Sequence, residues 1–342
     1  MSYALRILQR ICSSFHGATS LILVALLVPA LHAAHLPLRF TWAGYFRAYW
    51  IVLAVQSVLT AALLYVAGFP KEFLSRIKGR GASDPFPKAE VTAILLPAIY
   101  FFFAFILVFS YNDIIASLRF NGSSDVMLSH IDSWMLGGGS VTAIAHSAMA
   151  HLPPRTFVWM EFVYFGLFRL VGACLILLAL RDGRRRAMQF IATTITAYYL
   201  SLILFFLLPA TGPYYVYPIV PISGGLYRDQ LALIQRLDTL RAHLPIDVIG
   251  TDYYLAFPCM HLTQPLIMLW FARKWKGVAI VLAAYTLLLI PSILLLEQHY
   301  VVDLIGGVLV AIVAVAMMEG AGSKLYSTPT VAKTAVLPAD CQ

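Results

Sequence analysis

The sequence predicts an all-α fold, a polytopic membrane bundle of about eight transmembrane helices. Three observations lead there. Of the 342 residues 61% are hydrophobic and 12% charged, with a mean hydropathy of +0.81, too few charges to coat a soluble body of that size. Apolar stretches recur at about the 20 residues that cross a hydrocarbon core of roughly 30 Å. Basic residues fall in alternate connections, as Lys and Arg do when they mark cytoplasmic loops.

The stretches run 16–33, 47–68, 91–111, 158–180, 187–209, 258–275, 277–296 and 299–319. Arg6 and Arg10 precede the first, which ends near Ala33-Ala34 like a signal peptide. Leu31 and His32 make a poor small-residue cleavage site, so it reads as a retained signal-anchor, and cleavage would leave the other seven orientations unchanged. The sixth has a short apolar core and reaches full length only if Arg273, Lys274 and Lys276 snorkel to the interface.

With the N-terminus inside, the cytoplasm receives Arg6 and Arg10, then Lys71, Arg76, Lys78, Arg80 and Lys88. Next come Arg181, Arg184, Arg185 and Arg186, then Arg273, Lys274 and Lys276, and last Lys324 and Lys333, sixteen of the 24 Lys and Arg. Arg39, Arg47, Arg119, Arg155, Arg228, Arg236 and Arg241 are spread over longer outer loops, and Arg169 lies inside the fourth stretch. The net charge of +8 is thus a topology signal, and no nucleic-acid partner is expected.

Cys12, Cys174, Cys259 and Cys341 show neither metal-finger spacing nor a disulfide framework. A Walker loop, a dinucleotide fingerprint, a zinc-protease motif and a long repeat are all missing, which removes the main support for nucleotide-driven transport. The expected organisation is a three-helix unit over 1–111, an extracytoplasmic loop over 112–157, a five-helix unit over 158–319 and a cytoplasmic tail over 320–342.

The 112–157 loop carries Asp113, Asp125, His130, Asp132 and Gly137-Gly138-Gly139, and is too long for a plain connector. Its Ala-rich part, 140–151, fits a short interfacial helix. The second outer loop, 210–257, opens at Pro209-Ala210-Thr211-Gly212-Pro213-Tyr214-Tyr215, where proline and glycine stop the helix. Within it, 226–243 reads as an amphipathic surface helix.

Phe257-Pro258-Cys259-Met260-His261 and, 38 residues after that histidine, His299-Tyr300-Val301-Val302-Asp303-Leu304-Ile305-Gly306-Gly307 each open an apolar stretch. Two crossings separate them, so both imidazoles meet at one face. Asp303 stands four residues beyond His299, on the same helix face one turn deeper. A carboxylate there fixes the ring tautomer and leaves the other nitrogen to attack phosphorus, while His261 serves as acid and base. A charge inside a span is costly and usually paired, which fits that partnership. Gly306 and Gly307 allow a close approach by another helix or a headgroup. The scheme needs no metal and no cofactor.

These motifs resemble the second and third signatures of the type 2 phosphatidic acid phosphatase superfamily, in the form found in its inositol phosphorylceramide synthase-like (inositolphosphotransferase) branch. Leu207-Leu208-Pro209-Ala210-Thr211-Gly212-Pro213-Tyr214 resembles that branch's first motif, and Ile131-Asp132-Ser133-Trp134 an Asp-containing stretch of its bacterial members. The resemblance covers about residues 125–319 and implies a helical bundle with its site at the outer membrane surface. It implies His299 as the nucleophile forming a phosphohistidine, His261 as acid and base, and Asp303 as the residue positioning His299.

The chain departs from the phosphatase form at several points. Cys259 stands at a serine position, Ile293 at an arginine position after a matching Ser292, and the first motif's Lys and Arg are missing. A thiol donates weakly, so cations or other donors must bind phosphate. Candidates are Arg155, Arg228, Arg236 and Arg241, with the hydroxyls of Tyr214, Tyr215 and Tyr217 beside Pro213. Asp132 is a candidate for a polyol headgroup or for a loop turn.

The expected activity is transfer of a phospho-headgroup from a phosphatidylinositol-like donor to a hydroxyl acceptor, in a bacterial inner membrane with the site on the periplasmic face. Hydrolysis of phosphatidic acid or a polyprenyl diphosphate, and an inactive transporter or scaffold, are the alternatives. Membrane lipids are the expected partners.

Overall fold

The computed structural model describes residues 15–36, 58, 88–218, 224–242 and 255–325. Among these residues the protein is all-helical, with eleven helices. They are α1 (Phe15–Ala33), α2 (Lys88–Arg119), α3 (Ser123–Met135), α4 (Val141–His151), α5 (Pro154–Phe165), α6 (Leu167–Leu207), α7 (Pro213–Val216), α8 (Gly224–Arg241), α9 (Met260–Ala272), α10 (Lys276–Leu295) and α11 (Val301–Leu325). Five of them, α1, α2, α6, α10 and α11, are long and apolar enough to cross a membrane.

That is fewer than the eight crossings expected, for three separate reasons. The stretch 47–68, with nearly all of the connection after it, falls outside the described residues. The fourth stretch is split between α5 and the first part of α6, and it meets the fifth at a break in α6 at Gly183 (φ 80°, ψ 178°), so the two count as one element there. The break falls inside the Arg181–Arg186 cluster where a turn was expected, and glycine tolerates that backbone.

The third reason is α9, which has 13 residues and so spans only about 20 Å at 1.5 Å per residue, short of a hydrocarbon core. No residue of α9 is exposed. It packs against α6, α10 and α11 and is walled by protein, so it needs no span-length apolar face.

The connection 112–157 carries helices, one of them, α4, over the Ala-rich part where a short helix was expected. The α2 helix runs on to Arg119, then α3, α4 and the start of α5 follow. Ser140 caps α4, its hydroxyl accepting the Ala143 N–H at 3.0 Å, and Pro154 opens α5 where a missing N–H costs nothing. The α3 helix inverts the usual pattern. Ser124, Asp125, Ser129 and Asp132 are buried, while Val126, Met127, Ile131 and Trp134 are exposed.

The amphipathic helix expected over 226–243 is α8, packed on α2. Leu237 and Leu240 are fully buried, Arg236 pairs with Asp113 at 3.3 Å, and the Ser117 hydroxyl lies 3.2 Å from the Ala34 carbonyl and 3.3 Å from that of Leu240. The main core runs along α6, where Phe190, Ile191, Ile195, Tyr199 and Phe205 pack among residues of α2, α9 and α11. Lipid is as apolar as these side chains, so close packing and interhelical hydrogen bonds hold such a bundle. The Ser20–Tyr199 hydroxyl pair at 2.7 Å and Tyr111 donating to the Leu23 carbonyl at 2.8 Å are two such bonds.

Candidate active site

The residues from Leu255 to Met260 enter α9, and His261 sits in its first turn. The α10 helix then returns the chain to the same end, where Leu296–Tyr300 lead into α11. The two histidines meet at this end. His299 Nε2 lies 3.4 Å from His261 Nδ1, with the rings edge to face at 5.6 Å.

His299 is buried, and its Nδ1 has two neighbours, the Ala256 carbonyl at 2.8 Å and Asp303 Oδ2 at 3.4 Å. The nearer partner is a carbonyl, which only accepts, so Nδ1 carries the proton and donates. Nε2 then keeps its lone pair and points at His261. Asp303 thus lies beside the His299 ring, and a main-chain carbonyl from the other motif is the nearer partner of Nδ1. Asp303 Oδ2 also accepts the Tyr300 N–H at 2.8 Å, as the third-residue acid of a capping box does.

The glycines of the last motif explain how the motifs come together. A Cβ on Gly306 would lie 2.7 Å from the Phe257 ring, and one on Gly307 would run into the Cys259 carbonyl. With both side chains absent, the Phe257–Cys259 turn lies directly on α11. The Cys259 N–H donates to the Asp303 carbonyl at 2.9 Å, and the Thr263 hydroxyl is shared between the carbonyls of Cys259 (3.0 Å) and Gly307 (2.9 Å). What the glycines admit is the other motif itself. Cys259 is fully buried, and its amide is already engaged by this bond.

Asp132, considered for a headgroup, is buried, and its carboxylate holds the start of α11. Oδ2 accepts the Val301 N–H and Oδ1 the Val302 N–H, both at 3.0 Å. These two amides belong to a first turn that lacks partners within its own helix, and a carboxylate there also faces the positive end of the dipole. Burial pushes the Asp132 carboxyl above its ordinary range, and the two amides pull it back.

Seven residues earlier on the same face of α3 is Asp125, which sequence reasoning placed only in a loop. It accepts the Thr211 N–H at 3.0 and 3.1 Å, the Gly212 N–H at 2.8 Å and the Tyr300 hydroxyl at 3.5 Å. The α3 helix therefore clamps two of the motifs through two carboxylates. Burial pushes the Asp125 carboxyl up to about 7 despite those amide bonds. Gly212 is needed on geometric grounds too, with φ 126° and no room for a Cβ beside the Gln298 carbonyl.

Tyr164 and Glu297 complete the surroundings and were missed. Tyr164 of α5 stacks on His261 at 4.0 Å and 18°, and its hydroxyl donates to Gln298 Oε1 at 3.5 Å. Glu297, buried and in the left-handed region (φ 57°), faces His146 Nε2 at 3.2 Å, and burial raises its carboxyl to about 7. The available signal was indirect. Asp125 and Asp132 share a helix face by spacing, whereas nothing local ties Tyr164 or Ala256 to a histidine so distant in sequence.

The remaining candidates separate. Pro213 and Tyr214 are buried at the start of α7. Tyr215 turns away, stacking edge-on against Phe120 at 4.9 Å and meeting Arg241 Nη1 at 3.5 Å. Arg236 is held by Asp113, and Arg228 is exposed on α8. Two residues on from Arg228, Gln230 donates to the Leu296 carbonyl at 3.3 Å, so this turn of α8 packs beside the segment leading to His299. Among the described residues no group of three or more His, Cys, Asp or Glu side chains is placed to hold a metal.

Comparison with known families matches residues 126–317 to the PAP2 superfamily, more than half of the chain. The protein belongs to the PAP2 superfamily, whose members are generally histidine-dependent phosphatases and phosphotransferases acting on phosphate esters. No curated protein and no solved structure matches it.

Proposed function

We propose that the protein is an integral membrane phosphotransferase of the inositol phosphorylceramide synthase type. It moves a phospho-headgroup from a phosphatidylinositol-like donor to a hydroxyl acceptor through a phosphohistidine on His299. The observation that carries this reading is the His299 ring, held at Nδ1 by Ala256 and facing His261 with Nε2.

In the first half-reaction Nε2 bonds to phosphorus as the bond from phosphorus to the diacylglycerol oxygen breaks, and His261 gives that oxygen a proton. In the second, the acceptor oxygen bonds to phosphorus, the Nε2–phosphorus bond breaks, and His261 takes the hydroxyl proton. Asp303 offsets the positive charge that the His299 ring acquires. Tyr164 keeps the His261 ring from turning.

Transfer from a diester is favoured by what surrounds the histidines. Ile293, at the phosphatase arginine position, is fully buried among apolar side chains, and the Ser292 hydroxyl donates to its own helix at the Leu288 carbonyl. A diester carries less charge than a terminal monoester and needs fewer cations. Its donors would be the Met260 and His261 amides at the start of α9, the Tyr214 hydroxyl and Arg228. Asp132, Cys259, Pro213 and Tyr215 contribute by holding the frame. The arginine-rich turn of α6 lies at the other end of the bundle, which by the positive-inside rule supports an extracytoplasmic histidine end, here read as the periplasmic face of a bacterial inner membrane.

Mass spectrometry of lipids tests this, after incubating the purified protein and its His299→Ala variant with phosphatidylinositol, phosphatidic acid, undecaprenyl diphosphate and alcohol acceptors. The expected products are diacylglycerol and a new phosphodiester, both lost in His299→Ala. Release of phosphate without an acceptor would make the enzyme a phosphatase, and products unchanged in His299→Ala would refute the histidine mechanism.

A further inference from the structure

At the end of the bundle away from the histidines a cleft of about 400 Å³ opens between α6, α9 and α11, walled by Arg185, Arg186, Gln189, Trp270, Phe271 and Glu319. Val301 and Glu319 are the two ends of the membrane-spanning part of α11, roughly 27 Å apart at 1.5 Å per residue, so the cleft is separate from the catalytic histidines. We infer that this cleft binds the phosphate headgroup of an anionic membrane lipid.

The cations around the cleft are held in place. The Arg186 guanidinium lies 4.2 Å over the Phe271 ring and donates to Gln189 Oε1 at 3.3 Å. Arg273 lies 3.7 Å over Trp270, and Arg181 lies 4.9 Å over Trp275. Guanidiniums fixed on aromatic faces lose little freedom when an anion arrives, and their fork matches phosphate oxygens.

Glu319 is the acidic member of the wall, and its charge is already met by Trp270 Nε1–H at 3.1 Å and Arg273 at 3.6 Å. The positive-inside rule accounts for basic residues at this end. It does not account for two arginines and an indole lining a cleft, which is the arrangement that takes lipid headgroups between helices.

Two features favour a lipid over a soluble phosphate. Val315 and Met318 line the cleft, and the neighbouring Ile312 and Val313 of α11 are exposed and apolar. An acyl chain therefore has a surface to follow from the headgroup. A free phosphate would leave that surface unused.

The test follows the thermal unfolding of the full-length protein in neutral detergent as phosphatidylglycerol or phosphatidylcholine is added. Phosphatidylglycerol is expected to stabilise, and an Arg185→Gln/Arg186→Gln variant to need about tenfold more of it for half the shift. Arg184→Gln removes the same kind of charge outside the cleft wall and should leave the half-point within about twofold. Arg186→Lys keeps the charge but loses the fork, and serves if the double variant does not fold, with a half-point raised about threefold. No shift, an equal shift with phosphatidylcholine, or an equal loss in Arg184→Gln overturns the inference. Inorganic phosphate giving the same arginine-dependent shift overturns the lipid assignment and makes the ligand free phosphate.

Discussion

The consecutive helices α9 and α10 are both apolar, yet they face different surroundings. The α10 helix has 20 residues and turns Ile280, Leu287 and Leu288 outward at 68, 70 and 60% exposure, as a lipid-facing span does. The α9 helix has 13 residues, none exposed, and is stitched to α11 through Cys259, Thr263 and Gly307. The geometry of the two histidines is therefore held by contacts between protein groups on the inside, while the outside asks only for apolar character.

The contrast breaks most sharply at Gly307. Gly307→Ala places a Cβ against the Cys259 carbonyl, a backbone atom that cannot swing aside, and should cost about 1–3 kcal/mol. The same shift separates His261 from His299, and turnover should fall about 100-fold, as for other misplacements near 1 Å. A wild-type rate in a folded Gly307→Ala protein would show that the stitch is dispensable.

Asp132→Ala should come next, leaving the Val301 and Val302 amides without their carboxylate at about 1–2 kcal/mol. Because Asp132 acts on the seat of His299, kcat should fall with KM nearly unchanged, and Asp132→Asn should recover part of the rate. A rise in KM alone would return Asp132 to the headgroup.

A smaller effect appears with pH. Asp125 binds its proton up to about 7 in the folded protein but only up to 3.8 when unfolded, so the native state holds more protons between those values. Stability should fall as pH rises from about 4 to about 7, and Asp125→Asn, which cannot ionise, should flatten part of that decline. Glu297 contributes with the same sign and keeps the profile from becoming level. Unfolding midpoints taken across that range measure both slopes.

The smallest change is expected outside. Leu287→Ala, on the exposed face of α10, should alter stability by no more than about 0.5 kcal/mol and leave turnover unchanged. A large loss there would place Leu287 in an interface and blur the distinction between the two helices.

How much of this was legible follows the same division. Hydropathy locates α10 and α11 because lipid-facing length is what it measures. The pairing of His261 with His299, the place of Asp303 and the need for Gly306 and Gly307 follow from local spacing and from counting crossings. The length of α9 does not, since a helix surrounded by protein has no reason to match the membrane. Within the 112–157 connection only α4 was legible, from the Ala-rich 140–151, because α3 turns its polar stripe inward, opposite to the pattern that marks a surface helix. Tyr164 on His261 and Ala256 on His299 are tertiary contacts with no local signature.

The inverted composition of α3 ties the outside of the bundle to its inside. Trp134, 83% exposed, and Asp132, which grips the first turn of α11, stand two residues apart on one short helix. One short helix therefore joins the surroundings of the bundle to the first turn beside His299.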